Sequence, residues 1–220
     1  MRKNKIIAFL VMLIFALSIV NPVAYAKVDD ITGHWAEKPI REMMNQGIIS
    51  GYPDGSFKPD EKITRAEFAA LVVKGFKLSG KSGKVFADTA DHWAKDFIAT
   101  ANAYGIVNGY SNSNFGPNDP ITREQMAVMI IKAVGLTDTG SARTFADSQN
   151  ISSWAREAVA IATGNNIMTG YPDFTFKPQG NATRAEAAVV LDKTLAIKAA
   201  PVEEEEQVKA EYVSIDKAGT

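Results

Sequence analysis

The sequence predicts an all-α protein, mainly helical with long loops, in which three similar helix–loop–helix repeats pack on one another. The main observation is a threefold recurrence of Trp-Ala, Gly-Tyr and Thr-Arg pairs, always in that order. The Trp-Ala pairs begin at Trp35, Trp93 and Trp154, which lie 58 and then 61 residues apart. Repeats of nearly constant period are typical of units that stack and share a core. A unit of this length is only marginally stable alone, so we expect the three to stabilise one another.

The first helix of each repeat is predicted to start near its tryptophan. In the first repeat, apolar residues follow at helical spacing through Ile40 and Met43 to Gly47, a typical C-terminal stop. A brief strand would fit at Ile48-Ile49. A loop with turn-forming proline and glycine comes next. It contains the pairs Gly51-Tyr52, Gly109-Tyr110 and Gly170-Tyr171 in the three repeats.

The second helix of each repeat is predicted to open with a capping box. Thr64 and Glu67 have the spacing at which each side chain accepts a hydrogen bond from the other residue's backbone N–H. The same spacing recurs in the other two repeats, at Thr122 with Gln125 and at Thr183 with Glu186. The residues that follow are apolar over most of the helix circumference, so these helices should be buried in a shared helical centre.

Both ends of the chain differ from the repeats. A basic start, an unbroken apolar stretch from Ile6 to Val20 and the sequence Ala24-Tyr25-Ala26 have the order of a secretory signal peptide. The stretch after Ile197 is acidic and poor in core residues, as expected of a solvated linker or tail. The predicted organisation is therefore a signal peptide at 1–26, repeats at 27–84, 85–142 and 143–198, and an acidic linker or tail at 199–220.

Composition excludes several classes of function. The net charge is −1, whereas nucleic-acid binders usually have a strongly basic face. The absence of cysteine excludes disulfide scaffolds, cysteine nucleophiles and zinc–thiolate sites. No common catalytic motif of hydrolases or nucleotide-binding proteins is present. The sequence predicts no catalytic residue, no metal site and no cofactor.

An arginine follows the capping threonine in every repeat. Arg65, Arg123 and Arg184 lie at helix N-termini, where the helix dipole slightly disfavours a cation. One interpretation is a site for a carboxylate ligand, since free N–H groups at a helix N-terminus and a guanidinium both bind anions. The other interpretation is a salt bridge between repeats. The candidate partners for that salt bridge are Asp30, Asp88 and Asp147.

The three tryptophans also have two interpretations. An indole can stack on a sugar ring. An aromatic residue in register with core positions at the start of a helix more often packs against the core.

These motifs resemble the S-layer homology (SLH) repeat. The resemblance rests on the segments 51–59 and 63–68 with their counterparts, on Asp30 before the first tryptophan, and on Phe86-Ala87-Asp88 and Phe145-Ala146-Asp147 before the others. It covers about residues 27–198. It implies a pseudo-threefold arrangement around a central three-helix bundle, with binding grooves between repeats. It also implies binding to secondary cell-wall polysaccharide of Gram-positive envelopes, often bearing pyruvate ketals on N-acetylmannosamine.

In this family the arginine meets the pyruvyl carboxylate and the aspartate of the neighbouring repeat holds sugar hydroxyls. Carried over to this sequence, the resemblance implies three grooves that combine Arg65 with Asp88 and Trp93, Arg123 with Asp147 and Trp154, and Arg184 with Asp30 and Trp35. The loop glycines Gly51, Gly109 and Gly170 complete the candidate ligand-binding set.

The repeats depart from the shared pattern in places, so we expect the three grooves to bind unequally. The second repeat has Ser111-Asn112-Ser113 where the first has Pro-Asp-Gly, and Glu124-Gln125 where the others have Ala-Glu. The third repeat has Phe174 in place of a loop glycine, Ala182 in place of isoleucine and Ser153 in place of histidine.

The predicted function is a non-catalytic module that anchors a protein to the Gram-positive cell surface. Its expected partner is pyruvylated secondary cell-wall polysaccharide, with peptidoglycan as an alternative. No nucleic acid is expected as a partner, and no membrane after signal cleavage. The predicted location is secreted and attached to the cell wall or S-layer. An envelope-associated glycan-processing enzyme and an S-layer lattice protein remain the alternative functions.

Overall fold

The computed structural model describes residues 29–199, which contain six α-helices and no β-strand. The described part of the chain confirms the predicted all-α class. The helices are α1 (Glu37–Asn45), α2 (Arg65–Gly75), α3 (Lys95–Ala103), α4 (Arg123–Val134), α5 (Arg156–Gly164) and α6 (Arg184–Ala199). Short 3-10 helices lie at Ala87–Thr89, Ser148–Asn150 and Ser153–Ala155. The predicted signal peptide at 1–26 and nearly all of the predicted tail at 199–220 lie outside the described residues.

The second helices of the repeats form the centre of the fold. Helices α2, α4 and α6 each contact the other two. Their sides are buried almost all round, as expected from their apolar sequences, and Phe68 and Met126 are among the largest fully buried side chains. The predicted shared helical centre is therefore present. Its pseudo-threefold symmetry remains a prediction.

The first helix of each repeat packs on the second helix of a different repeat. Helix α3 packs on α2, α5 packs on α4, and α1 packs on α6. The last contact joins the first repeat to the third, so the described helices close into a ring. This order decides which tryptophan lies beside which central helix.

A ring of backbone hydrogen bonds ties the three repeats together just before the central helices. Ile63 N–H donates to the carbonyl oxygen of Ala182 (3.1 Å), Ala182 N–H to that of Ile121 (2.9 Å), and Ile121 N–H to that of Ile63 (3.0 Å). These three residues hold equivalent positions in their repeats, and all are fully buried. Because each buried N–H needs a partner, every repeat depends on both others here.

The three predicted capping boxes are present, with Thr64, Thr122 and Thr183 as the N-cap residues. The brief strand considered at Ile48-Ile49 is not formed, because both N–H groups bond to the carbonyl oxygen of Met43 at the end of α1. Among the helices of residues 29–199, none is long and apolar enough to cross a membrane.

The N-termini of the central helices are not free for an anion, contrary to the expectation from sequence. Arg65 N–H donates to the carbonyl oxygen of Asp119 and Ala66 N–H to that of Pro117, both in the next repeat. The third N–H of the helix, on Glu67, bonds to the cap. Helices α4 and α6 have the same arrangement. The first N–H groups of these helices therefore join repeats and cannot bind a ligand without breaking that junction.

Candidate functional site

The three arginines are buried and join neighbouring repeats. Arg65, Arg123 and Arg184 are only 4–6% exposed. Each Nε donates to the carbonyl oxygen of a buried loop phenylalanine in the next repeat, at 2.8–3.0 Å, and the acceptors are Phe115, Phe176 and Phe57 respectively. Each Nη2 donates to a second carbonyl oxygen of the same loop, and these acceptors are Asn108, Thr169 and Ser50.

Each guanidinium also lies between two aromatic rings. The Arg65 Cζ atom is 4.4 Å from the centroid of Tyr110 and 4.6 Å from that of Phe115. The other two arginines have the same arrangement, with Tyr171 and Phe176 around Arg123 and with Tyr52 and Phe57 around Arg184. Cations are attracted to the faces of aromatic rings, and more strongly where water is excluded.

The salt bridge between repeats exists, but its partner is not one of the three aspartates considered from the sequence. Arg123 Nη1 is 2.7 Å from Glu186 Oε1, and Arg184 Nη1 is 3.5 Å from Glu67 Oε1. These glutamates are the ones that close the capping boxes of the next repeat. At the equivalent position Arg65 Nη1 donates instead to the amide oxygen of Gln125 at 3.1 Å.

The aspartates are occupied by backbone N–H groups, which explains why they do not pair with the arginines. Asp147 accepts from the N–H groups of Phe176 and Lys177, both at 2.8 Å. Asp88 accepts from Phe115 and Gly116, and Asp30 accepts from residues 57 and 58. Arginine and aspartate thus hold the same loop, one through the phenylalanine carbonyl and the other through its N–H.

Burial is the main influence on the pKa of Arg65. It lowers the pKa of the guanidinium, and electrostatic interactions with Tyr110, Asp119 and Asp88 act in the opposite direction. Neither aspartate forms an ion pair with Arg65 in the described structure. The guanidinium therefore carries its charge without a contacting carboxylate.

The tryptophans are exposed, so of their two interpretations the one that packs them in the core is wrong. Trp35, Trp93 and Trp154 are 64%, 61% and 57% exposed. The core positions beside them are taken by the alanine that follows each tryptophan, which is fully buried in every repeat. An indole held on a surface is available for contact with a partner.

Two of the interfaces contain cavities that bring candidate residues together. The first groove, of about 360 Å³, is lined by Arg65, Gly109, Tyr110, Gln125, Lys132 and Trp154, among others. The second groove, of about 590 Å³, is lined by Trp35, Arg123, Gly170, Tyr171, Glu186 and Lys193, among others.

The grouping of arginines with tryptophans differs from the one carried over from the family. Arg65 shares its groove with Trp154 instead of Trp93, and Arg123 with Trp35 instead of Trp154. The reason is the packing order: α5, which follows Trp154, packs on α4, and α4 forms one wall of the first groove. Each of these two grooves therefore takes residues from all three repeats.

Close packing around the three loop glycines is sufficient to explain why these positions are glycine. A Cβ atom on Gly51 would lie 2.6 Å from the carbonyl oxygen of Ser56, and one on Gly109 would lie 2.6 Å from that of Asn114. Gly170 is equally confined by Phe145 and Thr175. Gly109 and Gly170 also line the first and second grooves.

The groove residues on the central helices and the role of the tyrosines were not predicted from the sequence. Lys132 and Lys193 line the two grooves, and Lys74 is their counterpart in the first repeat. Each lies ten residues after a capping threonine, so the register of the repeats contained a usable signal. The tyrosine of each Gly-Tyr pair likewise recurs in all three repeats.

Comparison with known proteins identifies the repeats. The model of the S-layer homology domain matches residues 29–69, 85–127 and 144–188. The chain is 35% identical to an amylopullulanase of Thermoanaerobacterium thermosulfurigenes over 74% of this chain and 9% of that protein. It is 30% identical to the surface-layer 125 kDa protein of Lysinibacillus sphaericus over 82% of this chain and 16% of that protein. It is 32% identical to S-layer protein EA1 of Bacillus anthracis over 84% of this chain and 22% of that protein. The chain thus spans less than a quarter of the length of each of these relatives.

Proposed function

The chain belongs to the S-layer homology domain family, and from this membership we propose that its three repeats anchor a protein to the cell wall by binding a wall polysaccharide between repeats. The family and the surface-layer relatives confirm the predicted location, a secreted protein associated with the cell wall or S-layer. The ligand that we propose is secondary cell-wall polysaccharide with pyruvate ketals, the class that the family resemblance implies.

The observation that carries this proposal is the composition of the grooves. In the first groove, the Arg65 guanidinium lies beside the ring of Tyr110, and Trp154 is exposed at the same cavity. Aromatic faces suit the apolar faces of sugar rings, and a guanidinium or ammonium suits a carboxylate. A groove that offers both fits an anionic glycan better than a neutral glycan or a free anion.

We infer further that the repeats are not catalytic. A glycosidase needs two carboxylates that flank the scissile bond. The carboxylates that line the second groove are Asp60 and Glu186, and Glu186 is held by Arg123 and by the hydroxyl of Tyr171 at 2.9 Å. The residues that line the first groove include no carboxylate. The enzyme name of the amylopullulanase relative is thus compatible with repeats that only attach that enzyme to the wall.

Co-sedimentation with cell walls tests the anchoring function. Purified protein is mixed with native walls, with walls stripped of secondary polysaccharide, and with walls from which the ketals have been removed. We expect binding to native walls and loss of binding to the other two. Equal binding to stripped walls would contradict the proposal and identify peptidoglycan as the partner.

Two further measurements separate the alternatives. Release of reducing sugars from purified wall polymer would indicate a glycan-processing enzyme. Formation of ordered sheets in the absence of walls would indicate a lattice protein. We expect neither sugar release nor sheets. A Trp154→Ala variant should fold but sediment less with native walls.

A further inference from the structure

We propose that the carboxylate of the wall glycan binds in the first groove in preference to the other two interfaces, and that Gln125 determines this preference. The inference rests on the proposed function, because it concerns which interface holds the ligand. It starts from the Glu124-Gln125 pair, which replaces the Ala-Glu pair of the other repeats.

The three guanidinium groups differ in the residue that faces them. Arg123 and Arg184 face Glu186 and Glu67, whose charges neutralise them at 2.7 and 3.5 Å. Arg65 faces the neutral amide of Gln125 at 3.1 Å. A ligand carboxylate approaching Arg123 or Arg184 must compete with a carboxylate of the protein, and repulsion between like charges opposes it. At Arg65 that competitor is absent.

The two grooves also differ in the net charge of the residues that line them. The charged residues of the first groove are Arg65 and Lys132, and both are cations. Those of the second groove are Arg123, Lys193, Asp60 and Glu186, so its charges balance. Cavities lined by one sign of charge concentrate ligands of the opposite sign. The first groove is therefore the one suited to an anion.

The second repeat also has a residue that fixes the position of Trp154. Glu124 is buried and accepts hydrogen bonds from the N–H (3.0 Å) and the hydroxyl (2.9 Å) of Ser152. Ser152 directly precedes the 3-10 helix Ser153–Ala155, which carries Trp154. The equivalents of Glu124 are Ala66 and Ala185, which cannot make such bonds. Glu124 is thus a positioning residue for the indole of the first groove.

The two substitutions act together. Compared with the other repeats, the second repeat has an additional carboxylate at position 124, where it fixes Trp154. It lacks the carboxylate at position 125, where one would repel the ligand. The cap is retained, because Gln125 still accepts from Thr122 N–H at 3.3 Å and Thr122 accepts from Gln125 N–H at 3.3 Å. Capping alone therefore does not explain the exchange.

Fluorine NMR of the protein labelled with 5-fluorotryptophan tests the proposal. The chain has three tryptophans, so three resonances are expected, which Trp→Phe variants assign. The probe is the 4,6-pyruvate ketal of a methyl N-acetylmannosaminide, with its neutral methyl ester as the control ligand. We expect the Trp154 resonance to shift at lower concentrations of the acid than the Trp35 or Trp93 resonances, and to respond less to the ester.

Variants with matched exchanges make the test specific. Gln125→Glu copies the other repeats and preserves the capping box, so it should fold and weaken the Trp154 response by about tenfold or more. Glu186→Gln should make the Trp35 resonance respond at concentrations that leave it unchanged in the wild type. Glu124→Ala should broaden or move the Trp154 resonance before any ligand is added, and Glu124→Gln should restore it in part.

Three results would overturn the inference. The first is a response of Trp154 and Trp35 at the same concentration of probe. The second is a Gln125→Glu variant with unchanged affinity. The third is no response of any tryptophan while the wild-type protein still sediments with native walls, which would leave the anchoring function standing without this groove assignment.

Discussion

Arg123 Nη1 of the second repeat lies 2.7 Å from Oε1 of Glu186, the residue that closes the capping box of the third repeat's central helix. Glu186 therefore has two structural roles, since its Oε2 accepts from Thr183 N–H while its Oε1 binds the neighbouring repeat. Both side chains are largely buried, at 5% and 14% exposure. The contact makes the start of α6 depend on an arginine of the second repeat.

Replacement of this arginine should strongly destabilise the fold. Arg123→Ala leaves Glu186 without its cation and two loop carbonyls without donors. Removing one member of a buried ion pair costs about 3–5 kcal/mol. Urea denaturation measures the change. The control is Arg41→Ala, whose ion pairs with Asp29 and Glu37 are partly exposed and should contribute little to stability. Equal losses in the two variants would contradict the structural role of Arg123.

The aspartates should matter for stability even when no ligand is present. Asp147→Asn places an amide opposite the N–H groups of Phe176 and Lys177, which now donate to the carboxylate. We expect a loss of about 1–2 kcal/mol in the free energy of unfolding, because hydrogen bonds to charged groups are stronger than average. The exposed Asp91 provides the control variant Asp91→Asn. An Asp147→Asn variant as stable as the wild type, with weaker wall binding, would assign this aspartate to the ligand alone.

Phe174 is a loop residue in a backbone conformation that favours glycine. Phe174 has φ of 60° and is 79% exposed, so its ring gains little from burial. Its counterpart Gly55 has φ of 87°. The left-handed region costs a non-glycine residue about 1–2 kcal/mol, partly offset by the flexibility of glycine in the unfolded chain. Phe174→Gly should therefore stabilise the protein by up to about 1 kcal/mol in thermal unfolding. A clear loss of stability would show that the ring makes contacts that its exposure does not indicate.

The carboxyl group of Asp29, at the start of the first repeat, should titrate at unusually low pH. Hydrogen bonds from Thr32 and then from Arg41 lower the pKa of Asp29 to about 2, from a model-compound value of 3.8. Because the folded pKa is the lower one, the stabilisation is present above about pH 4 and is lost as the pH falls through about 2. NMR titration of Thr32→Val should find the Asp29 midpoint raised. The pKa of Asp192, which burial raises, is the internal control and should not move. An unchanged Asp29 midpoint would contradict the role of Thr32.

Local features of this fold could be predicted from the sequence. The capping boxes follow from Thr64 and Glu67 and their counterparts, because capping joins residues three apart in the chain. The burial of the central helices follows from their apolar circumference. The hydrogen bonds by which Asp147 holds the loop at Phe176 join residues of one repeat, but the sequence alone did not distinguish them from a salt bridge.

Features that join different repeats could not be predicted in the same way. Arg123 pairs with a capping glutamate of the following repeat. Trp154 lines the first groove because α5, which follows it, packs on α4. The sequence pattern gives three equivalent repeats but not the order in which their helices pack. The occupied helix N-termini have the same origin, since their acceptors belong to the next repeat.

Calorimetric titration of the purified protein with soluble secondary wall polysaccharide is the decisive measurement of glycan binding. One sample of polysaccharide keeps its pyruvate ketals, and a second has lost them by mild acid treatment. We expect binding to the first sample and affinity at least about tenfold lower for the second, because a charged hydrogen bond to the arginine is lost. Equal affinity for the two samples, or no binding to either, would contradict it.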